Sequence, residues 1–141
     1  MRKCLDFSLT YAVTAMVCGV FYREFTKYQD FTGVTALGKV HGHLFLLGMV
    51  MFLIVALFAM HWNLDGQKKF RWFLRTYNIG VPLTAAMLLV RGVTQVLGLP
   101  LTTGASAAMS GIAGIGHILT GVGLILLLLA LRDRAKEEAA G

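Results

Sequence analysis

Apolar residues fall along the chain in four long runs, over residues 4–24, 35–62, 76–97 and 109–131. A helix needs about 20 such residues to cross the hydrocarbon of a bilayer, so each run is long enough to span it. The runs are divided by "REFTKYQDFTG", "NLDGQKKFRWFLR" and "LGLPLTTGASAAMSG", which are short and rich in charge or turn formers. Short connections make consecutive helices antiparallel neighbours. The pattern predicts an all-α integral membrane protein, a four-transmembrane-helix up-down bundle forming a single domain over residues 1–141.

Composition sharpens the picture. The chain is 57% hydrophobic and only 14% charged, with mean hydropathy +0.70, too little charge to cover the surface of a small soluble domain. The formal net charge of +6 would suggest nucleic acid on a soluble protein, but here the basic residues gather at helix ends, where they set topology. Arg2, Lys3, Lys68, Lys69, Arg71, Arg75, Arg132, Arg134 and Lys136 fall on one side, against Arg23, Lys27 and Lys39 near the other and Arg91 within the third run. The excess predicts both termini in the cytoplasm (N-in/C-in) and excludes a nucleic-acid partner. Trp62, Trp72 and Tyr77 would then mark the inner interface, and Tyr22 and Tyr28 the outer one. Asp6 inside the first run, with no small-residue cleavage site after it, marks that run as a retained helix and not a signal peptide. Cys4 and Cys18 lie in the same run, so they cannot pair there, and they read as apolar fillers.

Ionisable residues inside the runs are the candidate chemistry, because such groups cost several kcal/mol in lipid and face an interior or a cavity. "LGKVHGHLFLLGMV" carries Lys39, His41 and His43. At 1.5 Å rise per residue the two histidines lie roughly 9–12 Å in from the outer end of their run, and His117 about 12 Å in from the outer end of the fourth. Arg91 lies about 9 Å from the outer end of the third, so all four are expected in one layer. His61 belongs to the inner interface. Residues i and i+2 of a helix are about 200° apart, so His41 and His43 point to opposite faces and cannot easily share one ion. No Asp or Glu joins them, which argues against a carboxylate proton relay and against Mg²⁺ or Ca²⁺.

Neutral imidazole suits zinc, copper or haem iron. A haem needs axial histidines across a gap between helices, and its propionates need cations nearby, for which Arg91, Lys39, Arg23 and Lys27 are placed. Glycines at 38, 42 and 48 and at 111, 114, 116, 121 and 123 would let a flat group or another helix approach closely. Three readings follow: haem b as cofactor at His41, His43 and His117; copper or zinc at the same histidines in a transporter or sensor; and a structural subunit in which the histidines brace the helices.

At "FYREFTK" and "TALGKVHGHLFLLG" the chain resembles a family of small bacterial four-span membrane proteins without an assigned activity, which implies the bacterial inner (cytoplasmic) membrane. "VHGHLFLLGMVMFL" is also similar, more distantly, to the His-x-His helix of the haem–copper oxidase catalytic subunit, where the two histidines ligate different haems. That subunit has twelve spans in three arcs of four. The likeness implies that this chain corresponds to one arc and that three copies form a homotrimer, with haem between His41 of one copy and His43 of the next, or with His117 as second axial ligand. The paired histidines of the oxidase copper site and its cross-linking tyrosine motif are missing, so the resemblance does not imply oxygen reduction or an enzyme. Electron transfer, haem handling or gas sensing is expected.

Overall fold

The computed structural model describes residues 1–140. Four helices, α1 (Arg2–Tyr28), α2 (Leu37–His61), α3 (Lys68–Val96) and α4 (Thr103–Ala140), are each long and apolar enough to cross a membrane. No strand occurs among the described residues.

The helices outrun the apolar runs. α3 begins at Lys68 and α4 at Thr103, inside segments expected as connections. Hydropathy marks what can enter lipid. Helix formation does not require apolar residues: "KKFRWFLR" holds no Gly or Pro, and the single Gly104 of "GASAAM" weakens a helix without ending it. α3 and α1 each end at a residue in the left-handed region. Gly98 sits at φ 62° after α3, with Gly98 N–H donating to the Gln95 carbonyl at 3.2 Å and Leu99 N–H to Thr94 at 3.1 Å. This pair of bonds caps the orphan carbonyls and needs the left-handed residue between them. Asp30, at φ 48°, closes α1 in the same way, with Asp30 N–H to Lys27 and Phe31 N–H to Thr26.

Packing follows chain order, α1 on α2, α2 on α3 and α3 on α4, with the α3–α4 pair the most extensive. Neither α1 and α3 nor α1 and α4 form a comparable seam, so the described helices make an open row and not a closed four-helix barrel. Small residues set the α3–α4 spacing. A Cβ added at Gly80 would lie 2.6 Å from Thr120 N, and one added at Gly116 would lie 2.5 Å from Thr84 Oγ1. Only such residues let two helix backbones approach this closely.

The core lies toward the end of the row that carries both termini. Phe52 of α2 is fully buried, with ring centroids 5.1 Å from Phe7, 5.7 Å from Tyr11, 6.0 Å from Phe73 and 5.8 Å from Tyr77. Tyr77 is therefore a core residue and not an interface marker as expected. Its ring fits against the space at Gly123 of α4, and it is 0% exposed. Outward faces carry large exposed apolar residues, among them Leu9, Val17, Ile118 and Leu128.

One feature had no sequence signal. Residues Leu44–Val50 of α2 form a π-helix between two α-helical stretches. The wider turn loosens the backbone ladder. Ser8 of α1 donates its hydroxyl to the Met49 carbonyl at 2.9 Å, and Tyr11 packs directly against Gly48, leaving no room there for a Cβ.

Candidate functional site

Antiparallel packing fixes the height of each candidate residue. Thr84 faces Gly116 and Gly80 faces Thr120 across α3–α4; Leu37 faces Gly92 across α2–α3. Carried along the helices, these pairings set His43 level with Ala86 and Gly114, so His43 and His117 differ by about 4–5 Å along the axis. His41 lies one further residue pair outward. The three histidines fall within about 8 Å of one another along the axis.

Arg91 lies further outward. Its guanidinium donates to Ser110 Oγ at 2.8 Å and to the Ser106 carbonyl at 3.4 Å, the first turns of α4, about 12 Å from the level of His117. The expected single layer is therefore a spread of about 12 Å, with His117 at one edge and Arg91 at the other. Heights counted from the edge of an apolar run miss the register, which the Gly80–Gly116 contact sets. Ser106 and Ser110 were not singled out as partners of Arg91. Their i, i+4 spacing near the start of an apolar run was the available signal.

The opposed directions of His41 and His43 are present. His41 turns to α1: a Cβ at Gly19 would lie 3.7 Å from its Cβ and Cγ, and its ring stacks on Tyr22 with centroids 6.3 Å apart and planes within 16°. Its Nδ1 is buried without a hydrogen-bond partner. His43 lies on the other side, in a shallow hollow of about 360 Å³ formed with Lys39, Gly42, Leu46 and Leu47, all from α2. A Cβ added at Gly42 would meet nothing within 4 Å. His117 is exposed on α4, away from the α3 seam.

His43 and His117 share one further property. His43 Nδ1 lies 2.9 Å from the Lys39 carbonyl and His117 Nδ1 lies 2.8 Å from the Ala113 carbonyl. A carbonyl only accepts, so Nδ1 carries the proton in both rings. In the neutral ring the Nε2 lone pair is then free and points away from its own helix. Metal-ligating imidazoles are held in this way, with the other nitrogen donating to a carbonyl.

The remaining candidate cations stand at the same end of the row. Lys39 is exposed one turn before His43. Arg23 is 82% exposed, with Nε 3.7 Å from Glu24 Oε1, and Lys27 lies in the last turn of α1. His61 is exposed at the far end of α2 beside Trp62. Among the described residues no three His, Cys, Asp or Glu side chains are grouped to hold one ion. The glycines divide into those filled by internal packing (38, 48, 116 and 123) and those open to a partner (42, 111, 114 and 121).

The chain belongs to the family described as "Protein of unknown function (DUF2871)", which it matches over residues 1–134. No curated protein and no solved structure matches it. None of these comparisons gives a likeness to haem–copper oxidase.

Proposed function

We propose that this chain is a multi-pass protein of the bacterial cytoplasmic membrane, with both termini inside, that holds haem b for electron transfer. Membrane insertion is supported by four sufficiently long apolar helices and by outward faces rich in large apolar side chains, since a water-soluble surface rarely exposes such patches. The orientation follows from nine Lys and Arg at one end of the row against four toward the other.

The observation that carries the haem reading is the matched state of His43 and His117. Each has its Nδ1 hydrogen committed to a backbone carbonyl, and each presents a free Nε2 on a face that its own chain leaves uncovered. The hollow beside His43 suits a porphyrin in its chemistry. Leu46 and Leu47 are apolar, Gly42 admits a flat face, and the Lys39 ammonium is available to a propionate. The hollow has one wall, all of it from α2, so a second histidine would have to come from another copy. His117 is the better match for that role than His41, whose ring is engaged by α1. Three copies in a ring follow only from the oxidase analogy. Haem would supply one-electron chemistry when bound, with His43 and His117 as the residues that would hold it.

The test is an absorption spectrum of protein purified from haem-supplied cells, with a pyridine hemochrome assay to identify the porphyrin. A Soret band is expected that shifts or disappears in His43→Ala and His117→Ala and is unaltered in His61→Ala. A colourless protein that also takes up no added hemin refutes the reading.

A further inference from the structure

A second site stands on the other side of α2. α1 and α3 flank α2 without closing on each other, and between them runs a groove of about 480 Å³. Its lining spans Phe7 to Cys18 on α1 and Asn78 to Leu89 on α3, so it is about 16 Å long and parallel to the helices. It contains none of the histidines and is independent of the haem reading.

The groove has a polar end and an apolar remainder. At the polar end Tyr11 donates its hydroxyl to Asn78 Oδ1 at 3.2 Å, and Asn78 Nδ2 donates to the Leu74 carbonyl at 2.9 Å. One Asn78 amide hydrogen and the Tyr11 oxygen lone pairs are left over. Pro82 lies four residues on in α3 and also lines the groove. Having no N–H, it cannot give the Asn78 carbonyl its helical hydrogen bond. The same few ångströms therefore offer both a donor and acceptors. Beyond them the walls are Val40, Leu44, Ala85, Ala86 and Leu89, with Thr14, its hydroxyl donated to the Thr10 carbonyl at 2.8 Å, and then Cys18 along α1.

Tyr11 packs against Gly48 at the middle of α2, so the polar end lies near the centre of the proposed bilayer. That position selects the ligand. A phospholipid cannot bring its charged headgroup to the middle of the hydrocarbon. An acyl chain would leave the polar end unused, and polar groups at that depth are costly unless paired. The ligand that fits is neutral, carries oxygens that accept or donate according to redox state, and trails an apolar tail.

We propose that the α1–α3 groove binds a membrane quinone or its hydroquinone, the ring at Tyr11 and Asn78 and the tail along Ala85, Ala86 and Leu89. The quinone carbonyl would accept a hydrogen bond from the remaining Asn78 amide hydrogen, and the hydroquinone hydroxyl would donate one to the Tyr11 oxygen or the Asn78 carbonyl. The proposal concerns binding of both forms and includes no electron-transfer step.

The test uses the full chain in detergent micelles, titrated with decylubiquinone and, in parallel, with decanol, which offers the tail and a hydroxyl without the ring. Saturable binding of the quinone is expected, read as a rise in unfolding temperature and as quenching of intrinsic fluorescence, with decanol much weaker. Tyr11→Phe keeps the packing against Gly48 and removes the hydroxyl that holds the Asn78 amide in place, so it should weaken quinone binding about threefold to tenfold. Ala86→Phe places a ring in the groove from an exposed position and should abolish binding. Absence of saturable quinone binding, equal binding of decanol, or wild-type affinity in both variants would each overturn the assignment. Far-ultraviolet circular dichroism of the two variants separates loss of binding from loss of fold, and Tyr11→Phe decides the matter if Ala86→Phe does not fold.

Discussion

Replacing Gly80 with alanine tests whether the α3–α4 seam sets the register of the candidate site. The new methyl would sit 2.6 Å from Thr120 N, 2.7 Å from Thr120 Oγ1 and 2.8 Å from the Gly116 carbonyl oxygen. Two of these three neighbours are backbone atoms and cannot swing aside. Reaching even 3.4 Å, the near edge of ordinary contact, requires the seam to open by about 0.8 Å. A gap of that size forfeits a quarter to a half of the dispersion energy of each contact it separates. Overpacking of this kind costs about 1–3 kcal/mol. Alanine also gains about 1 kcal/mol of helix propensity over glycine, which partly masks the cost. Gly121→Ala supplies the control, since its methyl would meet nothing within 4 Å and it carries the same propensity gain. Gly80→Ala should therefore be less stable than Gly121→Ala by about 1–3 kcal/mol. The assay is reversible unfolding in mixed micelles by a denaturing detergent, followed by circular dichroism. Equal stability of the two variants would show that the seam is not tight at Gly80 and would remove the basis for the heights assigned to His43, His117 and Arg91.

Two further outcomes follow from the ends of the row. Gly98→Ala forces a side chain to φ 62° and should destabilise by about 1–2 kcal/mol in the same assay, whereas Asp30→Gly relieves that strain at the end of α1 and should not destabilise; a harmless Gly98→Ala would show that the chain closes α3 another way. Lys69 Nζ donates to Asp133 Oδ2 at 2.5 Å, and this bond holds the Asp133 carboxyl below its ordinary range. A depressed carboxylate adds stability that is present above its unfolded pKa and is lost as pH falls through the folded one. Thermal unfolding in detergent should thus show an acid-side decline that Asp133→Asn reduces, and identical pH profiles of the two proteins would refute the coupling.

Much of the site was legible from types and spacing. The i, i+2 relation of His41 and His43 is a property of any helix, and it correctly separates one ring facing Tyr22 of α1 from another in the hollow with Lys39 and Leu46. The state of the imidazoles was not legible, because the bonds from Nδ1 to the Lys39 and Ala113 carbonyls depend on rotamers. The groove was missed although its signals were present: a tyrosine in the first apolar run, and an asparagine four residues before the only proline within a helix.

The sequence by itself determined four apolar helices and which residues carry charge, because apolarity and helix formation are summed locally along the chain. It also marked a connection within "LGLPLTTGASAAMSG", since turn formers gather there. Tertiary structure decided what is relational. Which glycines are filled and which open, that Tyr77 is core, that Arg91 holds Ser110 instead of joining the histidines, and that Leu44–Val50 winds as a π-helix around Tyr11 all depend on how two surfaces meet. The physical reason is register: a helix carries its own periodicity in its sequence, but its height against a neighbour is set by the fit of a few small residues, here Gly80 against Thr120 and Gly92 against Leu37.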